Sequence, residues 1–297
     1  MGALSWRPTR LCTWLLAGCL SLPWALPAWA DAASMQARHA QLSDVLAASP
    51  FGQPLHIESR EVDDRLQGAV YAVLDHPFER VRDALRQPSN WCDIMILPFN
   101  TKYCHAVRSA NGPGLLIRIG RKYDQPLEDS YKLLFDWNPV AASEAYFESR
   151  LSAPEGPVDT RDYRINVSAI PLEGGRTFLR LGYSYGFGFT GRLAMNAYLA
   201  TAGADKVGFS RVGEPGGPQR LIGGMRGTVE RNAMRYYLAI DAFLDSLQAP
   251  PAQRAERRVQ AWFNATERYP QQLREMNRET YVGMKRMEIA RQRELIQ

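Results

Sequence analysis

The sequence predicts an α+β fold in which an antiparallel sheet curves around one long helix near the C-terminal end. Six strand-like runs of alternating apolar and polar residues lie between residues 100 and 188. The segment 225–247 then carries apolar residues at helical spacing, and at 1.5 Å per residue it spans about 34 Å, enough to cross a whole sheet. A sheet with one apolar face needs such a cover, so the two patterns together predict one packed unit.

The N-terminal segment 1–30 has the features of a secretory signal peptide. Arg7 and Arg10 precede an apolar stretch that is too short to cross a bilayer, and Ala28-Trp29-Ala30 offers a cleavage site after Ala30. An alternative is a lipoprotein anchored at Cys19, in the sequence Leu-Ala-Gly-Cys, although only a few apolar residues precede it. We expect a protein that is periplasmic or secreted after cleavage of the signal peptide.

Composition limits the functions to consider. Removal of 30 residues from 297 leaves 267, with N-terminal elements at 31–64, a main domain at 65–250 and a helical tail at 251–297. A content of 45% hydrophobic and 23% charged residues predicts a packed core. Cleavage removes two arginines and no acidic residue, so the net charge falls from +5 to about +3. This small excess does not indicate a nucleic-acid partner.

Cys92 and Cys104 are the two cysteines that remain after cleavage, and they bracket the apolar run in WCDIMILPFNTKYC. In an oxidising compartment such a pair most simply forms a disulfide, with two free thiols as the alternative. The loop is short, so closing it stabilises the fold by about 3 kcal/mol. No metal or other cofactor is expected, because the histidines lack the spacing of metal ligands: His39, His56, His76 and His105.

The elements that precede the main strand region can be assigned in order. Apolar residues at helical spacing predict a helix over 33–48, and two strands follow at 55–62 and 65–77. Pro77 then begins a helix that ends at Pro88, because proline is favoured in the first turn and breaks a helix interior. Residues 91–97 form a second short helix or an apolar turn.

The six strand runs are separated by Gly, Pro, Asn and Asp. They read NTKYCHAV, GLLIRIGRKY, YKLLFDW, EAYFESRLSA, DYRINVSAIPL and TFLRLGYSYGFG. Alternation is clearest where Leu133 and Phe135 share one face, and where Leu181 and Tyr183 do so. One apolar and one wet face predict a sheet that is covered on one side.

A G-x-G-x-x-G spacing occurs at Gly186, Gly188 and Gly191, before a predicted helix at 190–202. A dinucleotide site would need a βαβ unit, which does not follow. We therefore interpret the glycines as a bend where a strand leaves the sheet, followed by a helix that is either a lid or a packed connector.

The tail, 252–297, predicts an antiparallel helix pair or one kinked helix, with ten basic and six acidic residues. Packing onto the main domain, a solvated tail, and a surface for a membrane or an envelope protein are the alternatives.

Two segments carry a resemblance to a known superfamily. They are GAVYAVLDHPFERVRDALRQPSNWCDIMILP at 68–98 and GGMRGTVERNAMRYYLAIDAFLDSL at 223–247. Together they resemble the strand, the two short helices and the gripping helix of the START-like, helix-grip (SRPBCC) superfamily, which includes lipid-transfer domains, polyketide cyclases and coenzyme Q-binding chaperones. The resemblance covers about residues 65–248. It implies a cavity between sheet and helix that suits a lipid, a sterol or hopanoid, or a quinone-like molecule.

Candidate site residues follow from this arrangement. Twelve apolar or aromatic residues could line the cavity, although each could instead fill the core: Ile117, Ile119, Leu133, Phe135, Phe147, Tyr163, Ile165, Leu181, Tyr183, Tyr236, Tyr237 and Ile240. A cyclase or hydrolase in the same cavity is the alternative to a binding protein, and it would need polar groups there. The candidates for that role are Asp93, Arg118, Glu148, Arg226 and Glu230. The spacing of the residues identifies no catalytic set.

Overall fold

A computed structural model describes residue 2 and residues 27–295, except residues 202 and 215. The predicted apolar stretch of the signal peptide and the alternative anchor at Cys19 lie outside the described residues. Within the described part, no helix combines the length and the apolar character that crossing a membrane would require.

The main sheet has eight strands, and every neighbouring pair is antiparallel. The strands are β1 Leu55–Val62, β2 Arg65–Leu74, β3 Thr101–Ser109, β4 Gly112–Ile119, β5 Tyr131–Ala142, β6 Phe147–Glu155, β7 Thr160–Leu172 and β8 Arg176–Phe187. Their order across the sheet is β1-β2-β8-β7-β6-β5-β4-β3, so the last six strands form a meander whose end returns to β2. A two-stranded ribbon, β9 Arg211–Val212 and β10 Arg220–Leu221, lies apart. The predicted α+β class is confirmed.

The helices are α1 Pro27–Ala47, α2 Phe78–Leu85, α3 Pro88–Met95, α4 Phe189–Ala200, α5 Gly224–Ser246, α6 Arg254–Glu267, α7 Pro270–Leu273 and α8 Arg278–Glu294. Pro77 immediately precedes α2, as the sequence predicts, whereas α3 begins at Pro88 rather than at the predicted Trp91. Proline ends α2 and starts α3 because it is tolerated in the first turn and not in the interior of a helix.

Helix α5 crosses the inner face of the sheet and contacts β1, β2 and β8. Alternation brings Ile165 of β7 opposite Tyr183 of β8, and Val167 opposite Leu181, so one face is continuously apolar. Helix α5 lies close to Gly68 of β2, where an added Cβ would be 3.1 Å from the Val229 carbonyl oxygen. A larger residue at this position would push the helix away from the sheet.

The opposite face of the sheet is also covered, which differs from the expectation of one wet face. Met35, Leu42 and Leu46 of α1 pack in a second cluster with Tyr71 and Phe178. Those two aromatic residues occupy outward positions of β2 and β8, where their large apolar surfaces need a cover. Helix α1 supplies it over part of the sheet.

The C-terminal tail is a helix pair, as one of the two predicted alternatives requires, with the single turn of α7 between α6 and α8. Trp262 of α6 is fully buried, and its indole N–H donates to the Arg235 carbonyl oxygen of α5 over 3.0 Å. Tyr281 of α8 stacks on Trp262 with 5.2 Å between ring centroids. The apolar stripe of the tail therefore continues the core around α5 instead of facing solvent.

Helix α8 is fixed to the sheet by buried charges. Glu288 accepts from Lys102 of β3 over 3.0 Å and from Lys285 over 2.7 Å, and all three side chains are fully buried. Lys285 also donates to the Pro98 and Thr101 carbonyl oxygens. Burial lowers the pKa of Lys285 to about 8, even though the Glu288 carboxylate opposes the shift.

The predicted disulfide between Cys92 and Cys104 is confirmed, with 5.1 Å between the Cα atoms. It joins α3 to the edge strand β3, and both cysteines belong to the main core. The bridge holds the 93–103 connection, which carries Met95 and Asn100, against the end of the sheet.

Candidate functional site

A cavity of about 340 Å³, partly open to solvent, lies between the sheet, α5 and α4. Strands β4 and β5 contribute Ile119, Leu133 and Phe135 to one wall. Met95 of α3 and the turn between β6 and β7 at Pro157–Val158 close two further sides. The volume lies within the range typical of sites for small organic ligands.

Four tyrosines from β7, β8 and α5 form the aromatic wall of the cavity. Tyr163 stacks on Tyr185 with 5.4 Å between centroids, and the ring centroid of Tyr183 lies 5.3 Å from that of Tyr236. Tyr163 donates its hydroxyl to Thr160 over 2.8 Å, whereas the hydroxyls of the other three make no hydrogen bond to any described residue. Burial raises the pKa of Tyr183 well above its usual value, so it stays protonated and can donate to a ligand.

Helix α4 covers the cavity from the end of β8. Ala194, Met195 and Tyr198 line the cavity, while Phe189 on the same helix is 84% exposed. At Gly191 an added Cβ would lie 3.0 Å from the Val158 carbonyl oxygen, so glycine allows α4 to pack closely on the β6–β7 turn. The glycine-rich segment is thus the bend where β8 leaves the sheet, and α4 is part of the cavity wall.

One end of the cavity is basic. Lys122, Arg231 and Arg235 line it, and Glu275 of the α7–α8 connection is the carboxylate that pairs with two of them. Its Oε1 lies 2.5 Å from Arg235 Nη2 and 2.8 Å from Lys122 Nζ, and its Oε2 lies 3.9 Å from Lys206 Nζ. Although burial opposes it, Arg235 and Lys122 hold the pKa of Glu275 below its usual value.

The twelve predicted lining residues divide into two groups. Six lie at the cavity: Ile119, Leu133, Phe135, Tyr163, Tyr183 and Tyr236. Six pack in the core outside it: Ile117, Phe147, Ile165, Leu181, Tyr237 and Ile240. The division follows from α5, which lies mainly on β1 and β2, so that the cavity is bordered by β4, β5, β7 and β8.

The five polar candidates do not line the cavity. Asp93 forms an ion pair with Arg258 over 2.6 Å on the α6 side. Glu148 lies on the outer face, where it accepts from Tyr146 and from Arg150, each over 2.6 Å. Both carboxylates hold parts of the fold together.

The other three polar candidates have structural partners as well. Glu230 is fully buried and accepts from the Ser59 hydroxyl over 2.6 Å and from the Phe209 backbone N–H over 2.6 Å. Arg226 donates to the Ser59 carbonyl oxygen over 2.7 Å. Arg118 donates to the Ser130 carbonyl oxygen over 2.9 Å.

Sequence reasoning missed the polar wall that α5 contributes. Thr228, Arg231, Asn232 and Arg235 all line the cavity. They follow the spacing i, i+3, i+4, i+7, which places them on one face of the helix. This polar stripe is the sequence feature that could have indicated the polar wall. On a helix whose neighbours are unknown, however, such a stripe more often faces solvent.

The described residues contain no group of three or more His, Cys, Asp or Glu side chains arranged to hold a metal ion. The residues that line the cavity, as far as the structure describes them, include no Asp, Glu or His. The chemistry present there is aromatic surface, phenol hydroxyls, amides and fixed positive charge.

The order and packing of the helices and strands identify the fold. Two strands, two short helices, a six-stranded antiparallel meander and one long helix across the sheet enclose a cavity. This is the START-like, helix-grip fold. No family model matches the sequence. Among curated proteins, the chain finds no significant match.

Solved structures that are similar to this chain include the following three. Ara h 8.0201 matches at 10% identity, with 65% of this chain and 99% of that chain covered and a TM-score of 0.36. The human StarD13 lipid transfer and protein localization domain matches at 9% identity, 48% and 76% coverage and a TM-score of 0.33. Norcoclaurine synthase from Thalictrum flavum matches at 9% identity, 48% and 76% coverage and a TM-score of 0.31.

Proposed function

We propose that this chain binds one hydrophobic small molecule, a lipid, a sterol or hopanoid, or a quinone-like compound, and shields or carries it. The cavity between the sheet, α4 and α5 carries the proposal, because its wall is built of apolar and tyrosine side chains and its space is not filled by the protein. Transfer of apolar ligand surface from water into such a site contributes about 25 cal/mol per Å² before the costs of association.

We further propose that the protein acts in the periplasm or outside the cell. The charged and then apolar N-terminal segment supports export. The disulfide between Cys92 and Cys104 is a second, independent support, since disulfides form and persist in oxidising compartments.

The test is native mass spectrometry of the mature protein purified from its own periplasm, followed by organic extraction. We expect a discrete co-purifying mass that reappears in the extract as a lipid or a polycyclic compound. Ala194→Trp, which narrows the cavity, should abolish the co-purifying ligand. Ala197→Trp, on the same helix but away from the cavity, should retain the ligand. Equal ligand content in both variants would place the ligand elsewhere.

The enzyme and tail hypotheses gain no support from the described residues. A cyclase or hydrolase using the five predicted polar groups would need them in the cavity, and each has a partner elsewhere. An interface for a membrane or an envelope protein on 252–297 would have to use the outer face of the tail, since Trp262, Phe263 and Tyr281 pack inward.

A further inference from the structure

Arg231 is the most deeply buried cation at the cavity. It is 2% exposed and lies on the polar stripe of α5. Nη1 donates to the Val207 carbonyl oxygen over 3.2 Å, and Nη2 donates to the Thr228 hydroxyl over 3.0 Å. A guanidinium has five N–H donors, so these two bonds leave donors for a further acceptor.

No carboxylate within the described ranges forms an ion pair with Arg231. Glu275 is committed to Arg235 and Lys122, and Lys206 lies near its other oxygen. Burial and the neighbouring Arg235 guanidinium lower the pKa of Arg231 from its usual value, although the nearby Tyr198 hydroxyl and the Glu275 carboxylate oppose the shift. A buried charge without a counter-ion is costly, and a charged group that is supplied from outside relieves that cost.

The surroundings of Arg231 fit an anion with an apolar body. The hydroxyls of Tyr183, Tyr185 and Tyr236 make no hydrogen bond to any described residue. Leu133 and Phe135 continue the wall away from the basic end. Phenol O–H groups and guanidinium N–H groups are strong hydrogen-bond donors to carboxylate or phosphate oxygens. The cavity thus has a cationic end and an apolar end.

We propose that the ligand is an amphiphile whose anionic group, a carboxylate or a phosphate, binds to Arg231 while its apolar body lies against the tyrosine wall. This inference rests on the proposed function, since it concerns the same cavity, and among the classes proposed there it selects an acidic lipid over a neutral sterol, hopanoid or quinone. Arg231 therefore sets the orientation of the ligand and discriminates against neutral compounds of the same shape.

The experiment is displacement of the neutral fluorophore N-phenyl-1-naphthylamine from the mature protein by dodecanoate, monododecyl phosphate and dodecanol. We expect at least one of the anions to displace it at a concentration at least about tenfold lower than dodecanol does, because a hydrogen bond to a charged group is stronger than one between neutral groups. The tighter of the two anions identifies the head group.

Arg231→Gln should reduce this preference to about threefold or less, and Arg231→Lys should retain part of it. The matched control is Arg226→Gln on the same helix, because Arg226 bonds to Ser59 and does not line the cavity. It should leave the preference unchanged.

Equal displacement by dodecanol and both anions in the wild-type protein would overturn the inference and leave hydrophobic binding intact, even if Arg231→Gln failed to fold. A preference that persists in Arg231→Gln would remove Arg231 from the site. Absence of fluorophore binding and of any ligand on the purified protein would refute the proposed function as well.

Discussion

Replacement of Glu288 by glutamine should destabilise the whole fold, although the residue lies far along the C-terminal tail. The carboxylate accepts from Lys102 and Lys285 at 3.0 Å and 2.7 Å, and all three side chains are fully buried. A neutral amide in place of this carboxylate would leave two buried ammonium groups without a counter-ion. Removal of one member of a buried ion pair costs about 3–5 kcal/mol.

Proton loss limits the share of this penalty that Lys285 can contribute. Burial already lowers the pKa of Lys285 to about 8, so loss of its proton at pH 7 costs about one unit, or about 1.4 kcal/mol. This share of the penalty of Glu288→Gln should therefore shrink as the pH rises from about 7 to about 8, because proton loss becomes easier.

The assay is urea unfolding of the wild type and the variant between about pH 7 and pH 10, with circular dichroism as the measure of unfolding. Glu256→Gln is the matched control, because Glu256 pairs with Arg286 of the same helix pair but is 43% exposed. Exposed pairs contribute about 0–1 kcal/mol. A loss below about 1 kcal/mol for Glu288→Gln, or a loss equal to that of the control, would refute the burial of this charge cluster.

Three further predictions address the anchors of the fold. Trp262→Ala should cost about 3–5 kcal/mol in urea unfolding, since the side chain is fully buried against α5, whereas a separable tail would lose less than about 1 kcal/mol. The double change of Cys92 and Cys104 to Ser should lower stability by about 3 kcal/mol and weaken ligand binding, and unchanged melting and binding would contradict a role in holding the cavity. Although burial opposes it, Asp241 and Asp245 raise the pKa of His76 to about 9. The stabilisation of the fold by protonated His76 is therefore complete below the usual pKa of 6.5 and is lost as the pH rises towards 9. This stabilisation should be only about 1–2 kcal/mol, because Asp245 is half exposed to solvent. A pKa of His76 below 6.5, measured by NMR, would contradict this prediction.

The fold was predictable because its main elements carry strong local signals. Period-two alternation in β5, β7 and β8, Pro77 before α2, and the long apolar face of α5 each point to one structure. The cover that α1 gives to Tyr71 and Phe178 was not predictable in the same way, since a period of two does not say which face meets a distant helix.

The site was only partly predictable. Leu133, Phe135 and Tyr183 could be placed at the cavity because alternation along β5 and β8 puts them on the apolar face of the sheet. Arg231 could not, because polar residues on a helix normally face water. Its burial depends on α4, which closes the cavity over this face of α5, and on the connection that contains Val207.

The way in which α8 lies along β3 has a consequence for solubility. β3 is an edge strand of the sheet, and an edge strand offers unpaired backbone groups to other chains. Gln292 of α8 accepts from the Cys104 backbone N–H of β3 over 3.0 Å. Lys102, also on β3, forms its ion pair with Glu288 of α8, and no other described carboxylate pairs with it. Loss of α8 would expose this edge as a template for intermolecular strand pairing, so truncated forms of the chain should aggregate through β3.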